Sequence, residues 1–331
     1  MSEIESNAVA PVPGVTTTLF ARWYVLAMMC LVYTLSIADR YVVSTVLDPI
    51  RHELHLSDSG VAWLTGAAFG VFYVILGFPL SWLIDRKSRR AIIAVCLVVW
   101  SAMTAVCGLA RTSLEFFLAR VGVTVGEAGG TPGANSLLSD YFPATRRAMA
   151  LTVFSLGAPI GAYLGYTIAG MIADQYGWRN VFFALGVPGV LAGIAVYVTI
   201  REPRRGCLDS GDEASAPSLA DTLRFMWSQR SAVHVIMGTA VCALWGWGLM
   251  FWTPTFLQRT YHMSVGEAGN FTQNMHLWGG SIATIVTGFM MAHSTMADAR
   301  RIVWLLSGGV LLGTVASGLA FYTHDMAFAR L

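Results

Sequence analysis

Four ionisable residues fall inside long apolar stretches: Asp39 and Arg40 in one, Arg120 and Glu127 in another. On insertion scales an ionised side chain at mid-helix costs about 2.5–3.5 kcal/mol in a membrane, so residues of this kind default to function. Burial pushes a carboxylate's pKa up and a neighbouring arginine pulls it down, which can leave the acid poised to exchange a proton. An arriving phosphate or carboxylate would occupy the arginine and free the acid. This chemistry is that of a proton-coupled site for an anionic substrate, with Glu127 as the preferred proton carrier and Asp39 as its partner. The plainer alternative is a set of neutralising ion pairs that only position helices.

Spacing lets these residues pair under either reading. Arg120 and Glu127 are seven residues apart, nearly two whole turns, and share one face of a helix. At 1.5 Å per residue Asp39 lies about 25 Å along its helix. Arg120 and Glu127 lie about 9 Å and 20 Å down from the opposite surface. Asp39 and Arg40 are then level with Arg120, and Glu127 is nearer the midplane.

Other constellations are weaker. Asp85-Arg86-Lys87-Ser88-Arg89-Arg90 reads, by charge alone, as a basic anchor between two spans. Gly157, Gly161 and Gly165 recur every four residues with Pro159 between them, a pattern that favours close helix packing over a moving hinge. Trp245, Trp247 and Trp252 read as packing or interfacial residues, and His276 as a satisfied core histidine. Cys30, Cys96, Cys107 and Cys242 read as small buried hydrophobes. The sequence has no nucleotide loop, nucleophile elbow or metal-spaced cluster. No catalytic residue, metal or cofactor is therefore expected, and the chain does not read as an enzyme.

The elements that carry these residues must be membrane helices. Of the 331 residues, 55% are hydrophobic and 12% charged, against about 25% charged in a soluble domain. Mean hydropathy is +0.59. The net charge of +2 is too small for a nucleic-acid footprint. Apolar stretches long enough to cross about 30 Å of hydrocarbon are read at 22–47, 61–84, 91–110, 114–137, 147–171, 180–200, 232–257, 268–293 and 302–322. With the N-terminus inside, 14 of the 21 basic residues are cytoplasmic and five are outside. The positive-inside rule then predicts a cytoplasmic N-terminus, with the cell's inner membrane as the expected location.

The predicted organisation is a disordered cytoplasmic tail (1–20), a six-helix bundle (21–200), a cytoplasmic linker (201–231) and a partial three-helix bundle (232–331). Arg201-Glu202-Pro203-Arg204-Arg205 begins the linker, and Leu219, Leu223, Met226 and Trp227 form one face of a short interfacial helix within it. The fold class is all-α integral membrane, on the plan of a two-bundle transporter.

The Asp85–Arg90 run resembles the loop motif of the major facilitator superfamily, with Ser81 and Ser88 where that family prefers glycine. Gly177-Trp178-Arg179 is similar to the family as well. Within it the chain resembles the spinster-like lipid transporters, through Ala38-Asp39-Arg40-Tyr41, Arg120, Gly126-Glu127-Ala128, Pro132, Asp140-Tyr141-Phe142-Pro143 and Arg146. The resemblance covers about 20–322. It implies a secondary transporter working by alternating access, with Asp39, Arg40, Arg120 and Glu127 in its substrate and proton site. It also implies that Asp85, Arg86, Arg89 and Arg90 form a cytoplasmic gate closing against the second bundle. The expected partners are protons, the bilayer, and a small-molecule or lipid substrate such as a lysophospholipid or sphingoid-type lipid. An organic-anion or drug carrier is the alternative within transport. The superfamily has twelve spans and nine are read here, so the chain is read as truncated at its C-terminus. A non-transporting lipid-binding protein is the alternative from another class.

Overall fold

The computed structural model describes residues 18–208, 219–280, 282 and 299–323, and among these every regular element is a helix. In chain order they are α1 (Leu19–Thr45), α2 (Leu47–Glu53), α3 (Asp58–Ala62), α4 (Ala68–Ile84), α5 (Arg89–Cys107), α6 (Ser113–Glu127) and α7 (Gly130–Tyr141). There follow α8 (Ala144–Ser155), α9 (Gly157–Tyr176), α10 (Trp178–Thr199), α11 (Leu219–Ser228), α12 (Arg230–Tyr261), α13 (Val265–Asn274) and α14 (Ala299–Thr323). Two π-helical turns, Trp63–Ala67 and Met275–Gly280, continue from α3 and α13.

Helix ends follow local chemistry. Thr112 and Glu115 form a capping box at the start of α6, as Ser264 and Glu267 do at α13. The Ser88 hydroxyl accepts from Ala91 N at the start of α5. Between α9 and α10 the chain turns through Gly177 at φ +80°, a conformation that favours glycine.

Uninterrupted spans were expected at 114–137 and 147–171, and both are broken. The first breaks at Ala128-Gly129, where paired glycines lower helix propensity. The second breaks at Leu156. Pro159 cannot donate to the Ser155 carbonyl and crowds it, and α8 ends at Ser155. Of the span expected at 268–293, residues 281 and 283–293 lie outside the described residues. Among the described residues, α1, α5, α10, α12 and the stretch Ala144–Tyr176 are long and apolar enough to cross a membrane.

One face of α4 exposes Val71, Val74, Ile75, Phe78 and Trp82, and one face of α10 exposes Val187, Leu191, Ile194 and Val198. Apolar stripes turned outward at helical spacing belong to helices solvated by lipid. The chain is a multi-pass membrane protein.

Two compact units divide the chain. Of the described residues, the first takes those within 1–36, 62–158 and 185–213, and the second those within 37–61, 159–184 and 214–331. Leu26, Met29, Ile93, Leu97, Trp100, Phe116 and Leu137 form the core of the first. In the second, Val42, Val43, Ile50, Tyr166, Val181 and Phe182 are fully buried.

Candidate substrate site and the clusters around it

In the first unit, α6 has two distinct faces. Gly122 and Gly126 press against α5: a Cβ on Gly126 would stand 2.6 Å from Cys96 O and 2.7 Å from Trp100 N. Gly129 and Gly133 continue the contact against Cys96 Sγ and Ile93. Arg120 and Glu127 lie on the other side of the helix, as their seven-residue spacing requires. Both are buried, at 3% and 2% exposure. The Arg120 guanidinium lies 5.6 Å from the Phe69 ring centroid, within cation–π range. Between them the Thr124 hydroxyl donates to Arg120 O at 2.9 Å. Glu127 is the last residue of α6, directly before the break.

Asp39 and Arg40 fall in the second unit. Asp39 is 2% exposed. The Arg40 guanidinium lies 5.3 Å from the centroid of the Trp247 ring on α12. Tyr41 meets the rings of Tyr166 and His276 at 4.8 Å and 5.4 Å between centroids, edge to face. Thus the structure brings Arg40 to Trp247 and Arg120 to Phe69, each pair inside its own unit.

Gly157 and Gly165 both lie against α1. A Cβ on Gly157 would be 2.9 Å from Cys30 O, and one on Gly165 would be 2.8 Å from Ala38 O and from Tyr41 Cβ. Gly161 is buried between them in sequence, and Pro159 follows the break that separates α8 from α9.

His276 is not a core histidine. It is exposed and lines a cavity of about 350 Å³ together with Trp245, Met250, Thr253, Phe256, Phe271, Thr272, Ser317 and Phe321. The π-helical turn that begins at Met275 offsets its side chain from the regular α-helical register. The cysteines divide as well: Cys96 and Cys107 are buried, Cys30 is half-buried and Cys242 is exposed.

The basic run at 85–90 is built into a network of the first unit. Arg89, 1% exposed, is ion-paired to Asp140 and donates from Nε to Glu202 Oε1 at 2.8 Å. It also donates to Ser136 O at 3.0 Å and to Pro203 O at 3.1 Å. Glu202 Oε2 accepts from the Ser88 hydroxyl at 2.9 Å and from Arg90 N at 2.8 Å. Burial pushes the Glu202 carboxyl up, but these donors outweigh it and hold the group below its usual range. Asp140 Oδ1 accepts from Gly206 N at 3.1 Å, and Arg205 donates to Ile84 O and Lys87 O. Arg86 lies over the Trp82 ring and Arg90 over Tyr197, while Asp85 is exposed. The segment expected to begin a loose linker at 201–205 is therefore bonded down. Polar composition alone does not reveal partners more than 100 residues away.

A second charged cluster was not anticipated. Arg259, near the end of α12, donates to Asp48 on α2 and to Asp58 on α3, each at 2.8 Å. Arg51 approaches Asp48 at 3.4 Å and Asp58 at 3.8 Å, and His52 lies 3.3 Å from Asp48. The Arg259 hydrogen bond, against a smaller opposing effect of burial, holds the Asp58 carboxyl below its usual range. Nearby, the Asp174 carboxylate accepts from Ser264 Oγ and Gly266 N, both at 2.9 Å, at the N-terminal turn of α13. The α9 and α13 backbones meet there: a Cβ on Gly170 would stand 2.9 Å from Gly266 Cα. Trp178 Nε1 donates to Glu53 at 2.6 Å, and Arg179 is ion-paired to the same carboxylate. Single charges in short polar stretches carry no spacing that would have identified these partners.

Buried ion pairs at helix ends, glycine-mediated helix packing and ionisable residues in apolar helices fit a transporter architecture. The Major Facilitator Superfamily model matches residues 29–330. The chain belongs to that superfamily. It is similar to a bacterial homologue of the human lysosomal transporter Spinster, solved in an inward-facing, unoccupied conformation. The identity is 30% and the TM-score 0.78, covering 94% of this chain and 71% of that one. It is 29% identical to an MFS-type efflux pump of Mycolicibacterium smegmatis, over 92% of this chain and 70% of the relative. Protein spinster homolog 3 of Danio rerio is 31% identical over 75% of this chain, which spans half of that relative's length. These matches place the chain among the spinster-like members of the superfamily, which are transporters and not enzymes.

Proposed function

We propose that this chain is a secondary active transporter that moves an amphipathic or anionic small molecule in exchange for, or together with, protons. The observation that carries the reading is the burial of Asp39, Arg120 and Glu127, each 3% exposed or less, in helices that are otherwise apolar. Retaining such groups at a cost of about 2.5–3.5 kcal/mol apiece points to function. Glu127 carries the proton, with Asp39 as its partner. Arg40 and Arg120 receive the anionic group of the substrate, and its arrival releases the carboxylate to be protonated. A lysophospholipid or sphingoid-type lipid suits this arrangement, and the likeness to spinster proteins supports it.

In this reading the six-helix bundle of 21–200 and the helices of 232–331 rock about a midplane site, joined through 201–231. The N-terminus is cytoplasmic in an inner membrane. The Arg89–Asp140–Glu202 network then lies at the cytoplasmic end, where Asp85, Arg86, Arg89 and Arg90 form the gate. The Arg259 cluster lies at the opposite end. Reconstitution tests the reading: a proton gradient across proteoliposomes should drive lysophosphatidate movement, and Glu127→Gln and Arg120→Ala should stop it without unfolding the protein.

The second reading is export of a drug-like molecule, favoured by the likeness to a protein named as an efflux pump. Gradient-driven movement of ethidium, with none of lysophosphatidate, would select it.

A further inference from the structure

Two prolines lie where α1 meets α12. Pro254 is inside α12, and Pro49 is the third residue of α2, just past the end of α1. A proline has no N–H to give to the carbonyl four residues before it. Pro254 therefore denies Met250 O its donor within α12, and Pro49 does the same to Thr45 O. Buried carbonyls left in this way need another partner, above all in helices surrounded by lipid. Here each helix supplies the other. The Ser44 hydroxyl of α1 donates to Met250 O at 2.7 Å, and Gln258 Nε2 of α12 donates to Thr45 O at 3.0 Å. Ser44 and Thr45 are fully buried, and Met250 nearly so.

A hydroxyl in a helix commonly returns to the carbonyl four residues back. Thr45 donates to Tyr41 O and Thr253 to Leu249 O in that way, each at 2.7 Å. Ser44 reaches across instead, and its more distant second acceptor, Phe251 O at 3.4 Å, is also on α12. Both crossing bonds lie beside the Arg259 cluster: Gln258 precedes Arg259, and Asp48, which accepts from Arg259, precedes Pro49. The bonds that each helix makes to itself survive a separation of α1 from α12, whereas these two do not.

We infer that Ser44 and Gln258 form a reciprocal clasp, each completing the carbonyl that a proline has freed on the other's helix. The clasp holds α1 and α12 together at this end, and water must take both carbonyls when the helices part. It thereby sets how readily this end opens. The inference rests on the transport reading for the existence of an open state, but uses neither its substrate nor its proton site.

The test is the distance between spin labels at Ser59→Cys, in α3, and Met263→Cys, just beyond α12. It is measured on the full chain in lipid nanodiscs, with the native cysteines replaced by alanine. Unsubstituted at the clasp, the chain should give mainly one short distance. Ser44→Ala and Gln258→Met should each raise the longer, open population about fivefold, the effect of one net hydrogen bond. Pro254→Ala gives Met250 O a donor in its own helix and should by itself raise the open population. Adding Ser44→Ala to it should then change that population by less than about twofold, and Pro49→Ala should mask Gln258→Met in the same way. Side chains that only fill space would act equally with and without the prolines, and that result overturns the clasp. So does an open population unmoved by Ser44→Ala and Gln258→Met. If one half of the cycle fails to fold, the other half decides. Flux of lysophosphatidate into proteoliposomes is scored separately: its absence sinks the transport reading, while the label distances still decide the clasp.

Discussion

Arg89, the first residue of α5, donates to Glu202, 113 residues further along the chain, with an Nε–Oε1 distance of 2.8 Å. The contact ties the start of one membrane helix to the segment that follows another. Asp140, at the end of α7, completes the arrangement from the other side of the same guanidinium. Three segments distant in sequence are held by one nearly solvent-free arginine.

Removing either acid should destabilise the protein through that arginine. Asp140→Ala leaves Arg89 buried and half-compensated, a change that costs about 3–5 kcal/mol when a buried pair is broken. Thermal unfolding in detergent should show Asp140→Ala well below wild type. Arg86→Ala, which loses an exposed stacking contact with Trp82 and a long hydrogen bond to the Trp82 carbonyl, should stay close to wild type.

The same network predicts an acid dependence. Glu202 titrates below its ordinary value of 4.5 in the folded chain. A carboxyl with a depressed folded pKa stabilises the fold above its unfolded pKa, and that contribution disappears as pH falls through the folded value. Wild-type Tm should therefore drop as pH is lowered below 4.5. Glu202→Gln should start lower at neutral pH and lose part of that acid-dependent drop.

Glycines on α6 should be far less replaceable than glycines on α4. A methyl at Gly126 collides with α5 backbone atoms, which cannot move aside cheaply. Gly126→Ala should cost about 1–3 kcal/mol through overpacking. A methyl at Gly70 meets nothing within 4 Å, and Gly70→Ala should be neutral or stabilising by up to about 1 kcal/mol from helix propensity. Paired melting curves decide the matter.

The Arg259 cluster is exposed enough that its ion pairs contribute little to stability, about 0.2–1 kcal/mol each. Its expected effect is on conformation. The Ser44 hydroxyl donates to Met250 O at 2.7 Å, so α1 and α12 are in contact at this level. Arg259→Ala should raise the rate at which a Ser44→Cys variant reacts with an impermeant maleimide, while Tm changes by only a few degrees. Equal reaction rates in the presence and absence of Arg259 would show that the cluster does not help to hold α1 and α12 together.

Much of the fold is legible in hydropathy, because a helix in lipid must be apolar over a fixed length. The spans carrying α1, α5, α10 and α12 show this directly. The interruptions at Ala128-Gly129 and Leu156 are less visible, since short breaks leave the average hydropathy untouched. Asp39, Arg40, Arg120 and Glu127 stand out as charges where charge is costly. Glu202, Asp48 and Arg259 do not stand out, and Asp140 does so only through the family resemblance, because a charge outside an apolar stretch is ordinary until its partner is known. His276 was misjudged for a related reason. Its position within a span suggests burial, whereas the cavity beside it depends on how α12, α13 and α14 pack.

The most direct test of the central claim is proton movement in proteoliposomes loaded with a pH-sensitive dye and given lysophosphatidate. The account predicts a substrate-induced pH change for wild type that is abolished in Glu127→Gln and Arg120→Ala, with both variants folded by thermal melt. A pH change of the same size in either folded variant would contradict it.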